Sequence, residues 1–253
     1  MISQNDLQQY KIEGYCIIKN AIPSDELTIL DASCESYIDH IHSVMDRNGS
    51  DTMGISHRNK RYFISNKHKE LNLTELKKFL FSELMANIAQ TLIGDNVYLF
   101  HEQFVVKSAD RGMKFSWHQD SGYIGHDHTP YLTCWIPLID VNENNGTVYV
   151  LPYSLAKTKD ISPHFAEKGS NDLVGYTGDQ KGIPVEINRG DLVCFSSTTF
   201  HRSSENKSKE MRPAYIVQYS PDVIKNKIGD KPCAFADPLV INGNYCSHHT
   251  MNA

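Results

Sequence analysis

The sequence lacks any apolar run near the ~18 residues that a membrane-spanning helix needs, and it lacks a surplus of basic residues. Lys and Arg number 25 against 30 for Asp and Glu, which gives a net charge of −5 at pH 7. Because proteins that bind a phosphate backbone carry a basic surplus, we expect no nucleic-acid partner. The first residues form neither a basic nor an apolar segment, so we expect a cytoplasmic protein without a membrane anchor.

The sequence also lacks a CxxC motif, although it contains six cysteines. The chain is far longer than the small secreted domains that depend on disulfides. Four residues of the tail fit no zinc-site spacing, and we interpret them as ordinary tail residues: Cys233, Cys246, His248 and His249. No G-x-S-x-G motif is present, which leaves Ser-His-Asp hydrolysis without support. A chain of 253 residues with 40% hydrophobic residues is long enough to bury a core.

The first 96 residues alternate helix and strand patterns. Hydrophobic spacing and capping residues predict helices over 3–12, 23–41 and 71–92, with a strand at 15–19. Residues 44–72 show little periodicity, and a stretch this long without clear elements is often functional. We therefore treat residues 44–72 as a candidate substrate loop.

From Val97 onward the pattern changes to short β-rich runs separated by turn residues, which is typical of a sandwich or barrel. The predicted strands are 97–106, 114–117, 131–137, 147–151, 184–187, 191–195 and 211–219. We predict a single domain over 1–253, with a helical support to about 96, a β core over about 97–220 and a tail from 221.

Two residues with metal-binding side chains lie two positions apart in His118-Gln119-Asp120, at the end of a predicted strand. Side chains alternate along a strand, so His118 and Asp120 project to the same side. His201 follows the apolar strand at 191–195 and supplies a third ligand. Two imidazoles and one carboxylate occupy one face of an octahedral non-haem Fe(II) and leave three positions open. Because the chain has 12 histidines, an HxD pair alone is a weak signal, and a surface turn stays the alternative.

A second signal comes from Arg212, eleven residues after His201 at the start of an alternating strand. An arginine that faces the interior of a barrel needs a counter-anion, since an unpaired buried guanidinium is very costly. A bound dicarboxylate would supply it, with one end on the guanidinium and the other end on iron.

Together with their neighbours, these motifs resemble the phytanoyl-CoA dioxygenase family over about residues 3–220. The resemblance rests on the Gly14-Tyr15 opening, and then on His118-Gln119-Asp120, Cys134-Trp135-Ile136-Pro137-Leu138, Asn145-Gly146-Thr147, Leu151-Pro152, Gly190-Asp191-Leu192, His201-Arg202-Ser203 and Arg212.

The resemblance implies a mainly β fold with flanking helices, a double-stranded β-helix of the jelly-roll, cupin-like type. It implies an oxidoreductase that uses Fe(II), 2-oxoglutarate and O2. Fe(II) would lie at His118, Asp120 and His201, and 2-oxoglutarate would pair with Arg212.

Four further positions follow from the resemblance. Ser203 matches a residue that helps to hold the cosubstrate carboxylate, and Trp135 matches an aromatic residue beside 2-oxoglutarate. Gln103 and Lys107 lie on the strand where the family often places a cosubstrate or substrate contact. An ordinary core tryptophan is the alternative for Trp135, and a solvated surface position is the alternative for Gln103 and Lys107.

The chain departs from the family where Tyr153-Ser154-Leu155 replaces the usual Gly-Ser-His, so a basic group near the substrate mouth is missing. Asp120 stands where halogenating relatives have a small residue, which favours oxygen chemistry. The predicted reaction oxidises, by default hydroxylates, an unactivated C–H bond of a small molecule such as a secondary metabolite, and it releases succinate and CO2.

Two alternatives stay open. An acyl-CoA hydroxylase would use basic residues of the candidate substrate loop: Arg58, Lys60, Arg61, Lys67 and Lys69. A jelly-roll protein without catalysis would use Arg212 to hold an anionic ligand. Of the remaining histidines, we interpret His126 and His128 as loop residues that line or cap the pocket, with metal ligation as the alternative, and His101 and His164 as packing or surface residues.

Overall fold

The computed structural model describes residues 2–66, 68, 74–110, 112–168, 172–228 and 230–247. Its helices are α1 Gln4–Glu13, α2 Ser24–Arg47, α3 Thr74–Leu80, α4 Glu83–Ile93 and the short α5 Tyr153–Ala156. Its strands are β1 Tyr15–Ile18, β2 Thr52–Met53, β3 Ser56–His57, β4 Arg61–Ser65, β5 Val97–Lys107, β6 Phe115–His118, β7 Leu132–Pro137, β8 Val148–Leu151, β9 Phe165–Ala166, β10 Leu173–Val174, β11 Ile183–Pro184, β12 Leu192–Ser196, β13 Phe200–Ser203, β14 Arg212–Ser220, β15 Asp237–Ile241 and β16 Asn244–Tyr245.

Two antiparallel sheets make up the β core. Within the described residues, ten strands form the main sheet, in the order β1-β12-β7-β14-β5-β4-β3-β2, and β15 joins β5 and β16 beside this path. The minor sheet has the order β11-β8-β13-β6. This mainly antiparallel architecture, with few helices, confirms the predicted jelly-roll class. The main sheet also takes strands from the first 96 residues, which therefore do more than support it with helices.

Alternation along the strands separates a helix-facing side of the main sheet from a side that faces the minor sheet. On β14, Tyr215 and Val217 belong to the cluster that also contains Leu30 of α2 and Met85 of α4. Ala214, on the opposite side, belongs to a second cluster with residues of the minor sheet. Successive strand residues point to opposite faces, so the helices cover one face and the space between the sheets adjoins the other.

Local sequence explains where α1 begins and ends. Ser3 accepts a hydrogen bond from the backbone N–H of Asp6, and the Asp6 carboxylate accepts one from the backbone N–H of Ser3. This reciprocal cap satisfies two N–H groups that a helix end otherwise leaves without partners. Gly14 ends the helix at a φ of +81°, in the left-handed region that glycine adopts without strain.

Several sequence-based boundaries were wrong. The helix predicted over 23–41 is α2, which ends at Arg47, and the strand predicted over 184–187 is β11, which covers Ile183–Pro184. The candidate substrate loop contains β2, β3 and β4. The strands β2 and β3 have two residues each, which is too few to show periodicity.

The predicted helix over 71–92 is two helices within the described residues, since Ser82 caps α4 by accepting from the N–H of Met85. The tail contains β15, whose Leu239 and Val240 are fully buried. Residues 71–73, His248 and His249 lie outside the described residues.

Candidate active site

His118 and His201 lie directly opposite each other on β6 and β13 of the minor sheet. Their ring centroids are 4.2 Å apart. His118 Nδ1 is 2.8 Å from the carbonyl oxygen of Ser116, and His201 Nδ1 is 3.1 Å from that of Thr199. A carbonyl accepts only from a protonated nitrogen, so each Nδ1 carries the proton and each Nε2 keeps its lone pair for a metal.

Asp120 begins a short 3-10 turn directly after β6. Its Oδ2 accepts hydrogen bonds from Thr133 Oγ1 at 2.6 Å and from Gln218 Nε2 at 3.0 Å. Its Oδ1 lies 3.5 Å from His201 Nε2. Because one oxygen is held by two donors of the main sheet, the other is presented to the histidines as a single metal ligand.

Ligand atoms of these three residues all lie within 4.8 Å of one another. Among the described residues, theirs is the one group of three or more His, Cys, Asp and Glu side chains with metal-binding spacing. Burial, together with the neighbouring His201, lowers the pKa of His118 to about 4. The imidazole is therefore neutral at physiological pH, which is the form that binds a divalent metal.

Gln119, between the two ligands of the His118-Gln119-Asp120 motif, anchors the turn. Its side-chain amide donates to the carbonyl oxygens of Thr198 at 2.6 Å and Asp160 at 2.9 Å. Its backbone N–H donates to His164 Nε2 at 2.9 Å. The residue that separates the ligands along the chain thus fixes their direction.

Arg212 is 1% exposed and lies on the side of β14 that faces the minor sheet. Its Nη1 lies 3.4 Å from the carbonyl oxygen of Val105, and its guanidinium carbon is 5.6 Å from the ring centroid of Trp135. Its Nε has no hydrogen-bond partner within the described residues. Burial lowers the pKa of Arg212 to about 9. A cation in this position, with an unsatisfied donor, fits an anionic ligand.

One cavity, which we call the inner cavity, brings most of the predicted residues together. Its wall includes the three metal-ligand candidates and four of the predicted cosubstrate residues: Arg212, Ser203, Trp135 and Gln103. Cross-strand register explains this, because Ile216 of β14 lies opposite both Trp135 and Gln103 and its side chain shares their face.

Lys107 is not in the wall of the inner cavity. It is fully buried opposite Arg212, and its Nζ donates to the carbonyl oxygen of Ser204. Burial, and then the charge of Arg212, lower the pKa of Lys107 well below its usual value. The predicted cosubstrate contact of Lys107 stays a prediction, with this side chain one layer behind the cavity surface.

Other histidines have protein partners. His126 Nε2 is 2.6 Å from the carbonyl oxygen of Lys225, and His128 Nε2 is 3.0 Å from Ser121 Oγ. His101 was predicted to be a packing or surface residue, but it lines a second cavity beside the metal-ligand candidates.

Sequence reasoning missed Thr133 and Gln218. Both had a usable signal, because Gln218 shares the alternation of Arg212 along β14 and Thr133 stands two residues before Trp135. Their polar side chains on an inward face are the feature that marks them.

The fold and the site together define a jelly-roll oxygenase with a facial triad of two histidines and one carboxylate. The sequence profile of phytanoyl-CoA dioxygenase (PhyH) matches residues 10–214. The chain belongs to this family of Fe(II)- and 2-oxoglutarate-dependent oxygenases, which confirms the predicted enzyme class and cofactors.

Individual relatives are distant. The chain is 24% identical to an ectoine dioxygenase of Bordetella bronchiseptica, over 87% of this chain and 75% of that protein. The structure of the non-heme alpha ketoglutarate dependent carbocyclase SnoK has a TM-score of 0.65 and 20% identity, over 96% of this chain and 87% of that chain. EvdO2 from Micromonospora carbonacea var. aurantiaca, complexed with 2-oxoglutarate, has a TM-score of 0.65 and 18% identity, over 94% of this chain and 95% of that chain. These structural likenesses show a shared fold.

Across the described ranges, no helix combines the length and the apolar character that crossing a bilayer requires.

Proposed function

We propose that the protein hydroxylates an unactivated C–H bond of a small molecule. The observation that carries the proposal is the convergence of three metal-ligand candidates and one buried, unsatisfied guanidinium on the inner cavity. Fe(II) bound there, with 2-oxoglutarate and O2, supplies the oxidation that inserts one oxygen atom into the substrate and converts the cosubstrate to succinate and CO2.

In this proposal, His118, Asp120 and His201 hold the metal through two imidazole Nε2 atoms and one carboxylate oxygen. Arg212 binds the distal carboxylate of 2-oxoglutarate, because its Nε lacks a partner. Ser203, whose Oγ makes no hydrogen bond within the described residues, adds a donor to that carboxylate, and Trp135 provides an apolar wall. Gln103 faces the cosubstrate or the substrate, and Lys107, opposite Arg212, supports this end of the site by donating to the carbonyl oxygen of Ser204, next to Ser203.

The substrate is proposed to be a small metabolite, and two similarities support this choice. The ectoine dioxygenase is named for a small-molecule substrate. SnoK belongs to nogalamycin biosynthesis.

Anaerobic titration of the protein with Fe(II) and then 2-oxoglutarate tests the proposal. We expect a weak visible charge-transfer band of the chelate, and we expect His201→Ala to abolish it. His126→Ala, a histidine change outside the site, is the control and should keep the band. If wild-type protein binds neither Fe(II) nor 2-oxoglutarate, the oxygenase function is excluded, and the alternative of a protein without catalysis gains support.

Arg212→Met separates the cosubstrate site from the metal site. It should weaken 2-oxoglutarate binding by about 2–5 kcal/mol and leave Fe(II) affinity unchanged, because only the anion loses its charged partner. Arg189→Met is the matched control, since Arg189 pairs with Asp31 and does not line the inner cavity. Calorimetry on the Fe(II) protein measures both affinities, and an unchanged 2-oxoglutarate affinity would remove Arg212 from the proposed site.

A further inference from the structure

A second cavity, the outer cavity, adjoins the inner cavity and extends from it to the surface. The residues that line both cavities are Phe63, Gln103, Phe115, His118, Asp120 and Gln218. Ile55 and Tyr123, which line it, are each 49% exposed, so they mark its mouth. A ligand bound in the outer cavity therefore approaches the metal-ligand candidates from the solvent side. The chemistry of this wall therefore determines which substrates the proposed oxygenase accepts.

Aromatic and aliphatic side chains form much of this wall. Phe63 and Phe115 meet edge to face with ring centroids 5.5 Å apart. Phe100 and Tyr131 form a second pair at 4.8 Å. Aromatic walls favour ring faces and hydrocarbon surface, and exposed apolar side chains at a mouth gain from being covered. The shape and the lining thus favour a ligand with a substantial apolar face.

Arg61 and Asp172, two charged residues of the outer cavity wall, form an ion pair with each other. Arg61 Nη1 lies 3.0 Å from Asp172 Oδ2, with side-chain exposures of 7% and 11%. The Arg61 guanidinium carbon is also 5.0 Å from the ring centroid of Phe63. Asp120, the other acidic residue in the described part of the wall, belongs to the proposed metal site. A charged substrate would have to break the buried pair or lose its hydration without a partner, and either is unfavourable.

His101 does not add a charge. It is largely buried, and this burial lowers the pKa of His101 below its usual value. At pH 7 its imidazole is therefore neutral, and it offers a hydrogen bond rather than a cation. The described part of the outer cavity consequently contains no unpaired charge apart from the metal site.

An uncharged hydrogen-bonding group is available at the inner end of the wall. Gln218 donates its amide N–H groups to Asp120 Oδ2 and Thr133 Oγ1, at 3.0 and 3.1 Å. Its amide oxygen has no hydrogen-bond partner among the described residues, and the side chain lines both cavities. A hydroxyl or amide N–H of the substrate satisfies that oxygen at the boundary with the metal site.

We propose that the substrate is an uncharged, ring-bearing molecule with at least one hydroxyl or amide donor. Its ring packs against Phe63 and Phe115, and its donor binds the amide oxygen of Gln218. This inference rests on the proposed function and specifies its substrate class.

The same contacts disfavour an acyl-CoA substrate. Arg58 of the candidate substrate loop pairs with Asp46 and Asp51, and Arg61 pairs with Asp172. Lys67 and Lys69 lie outside the described residues. Within the described part of the loop, Lys60 is the one predicted basic residue that forms no ion pair. A single unpaired lysine provides little positive charge for the phosphates of coenzyme A.

Three probes with one ring system and different charges, together with one acyl-CoA, test the substrate class. Anaerobic protein loaded with Fe(II) and 2-oxoglutarate is titrated by calorimetry with 2-naphthol, 2-naphthoate, 2-naphthylmethylammonium and hexadecanoyl-CoA. We expect 2-naphthol to bind at least about tenfold more tightly than each charged probe. Equal or tighter binding of any charged probe would overturn the proposal, and so would the failure of 2-naphthol to bind at about millimolar concentration.

The charge-transfer band tests the proposed function separately from the substrate class, because it forms before any probe is added. A band without the expected order of affinities contradicts the substrate class and keeps the proposed function. The absence of a band contradicts the proposed function itself.

Ile55→Glu tests the location of the site. A carboxylate at the mouth should weaken 2-naphthol binding about tenfold and leave the band intact, since Ile55 does not line the inner cavity. Ile228→Glu is the matched control, because Ile228 is 89% exposed and lies outside both cavities. Equal effects of the two changes would show that the ring binds elsewhere.

Discussion

At the scale of single residues, the Asp120 carboxylate shows how this fold orients a proposed metal ligand. Thr133 Oγ1 and Gln218 Nε2 both bind the same oxygen, Oδ2, and they come from the sheet opposite the histidines. A ligand held this way has one orientation before the metal arrives, so less conformational entropy is lost on binding.

Thr133→Val should therefore weaken metal binding. The change keeps the shape of the side chain and removes the shorter of the two hydrogen bonds, and losses of this kind typically reduce metal affinity about 10- to 100-fold. Equilibrium dialysis with Co(II) measures the affinity without turnover. Thr28→Val, on the exposed face of α2, is the control, and equal affinities of the two variants would show that the hydrogen bond does not position Asp120.

Elements differ in how far sequence patterns predict them. Long strands with alternating residues, such as β5 and β14, were placed within one residue at each end because one face is buried along their whole length. The strands β2 and β3 at the end of the main sheet were missed, since two residues cannot display a period. The metal-ligand candidates were recognisable because His118 and Asp120 lie two residues apart and His201 follows a strongly apolar strand. Thr133 and Gln218 could have been marked as polar residues on inward strand faces, but their role as donors to Asp120 depends on how the two sheets face each other, which spacing does not encode.

The turn between α1 and β1 contacts Thr199, the residue whose carbonyl oxygen orients His201. Thr199 Oγ1 donates to the carbonyl oxygen of Gly14 at 2.7 Å, and the carbonyl oxygen of Thr199 orients His201. A Cβ on Gly14 would lie 2.5 Å from Thr199 Oγ1 and from the ring of Tyr153. The end of the first helix thus packs directly beneath the residue that holds a metal ligand.

Gly14→Ala should lower both stability and metal affinity. Gly94→Ala is the control, because Gly94 also has a positive φ but no atom within 4 Å of the added Cβ. Urea unfolding should show about 1–3 kcal/mol more loss for Gly14→Ala, since overpacking adds to backbone strain. Co(II) affinity should fall only in Gly14→Ala. If both variants lost Co(II) affinity equally, backbone strain alone would explain the loss.

At the scale of the whole molecule, the proposed ligands connect the two sheets. His118 and His201 belong to the minor sheet, and Arg212 belongs to the main sheet. A metal with bound 2-oxoglutarate would therefore link both layers and bind only the folded protein, and such binding stabilises the fold by mass action.

Mn(II) and 2-oxoglutarate together should raise the midpoint of thermal unfolding. At ligand concentrations about 100-fold above the dissociation constant, the expected stabilisation is about 2.7 kcal/mol. His118→Ala should lose the shift and His126→Ala should keep it, as measured by scanning calorimetry. A shift of equal size in His118→Ala would mean that the ions act away from the predicted triad.

Ile55 and Phe63, which line the outer cavity, come from the segment that contains β2, β3 and β4, at the end of the main sheet and beyond β5. The proposed iron ligands and Arg212 come from other strands. Phe63 also lines the inner cavity, whereas Ile55 lines only the outer one, so substrate preference is separable from the oxidative machinery at the mouth of the outer cavity. Exchanging residues 52–57, which contain β2 and β3 and include Ile55 but not Phe63, for the corresponding segment of a relative is therefore a direct route to retargeting this oxygenase while its cofactor chemistry stays in place.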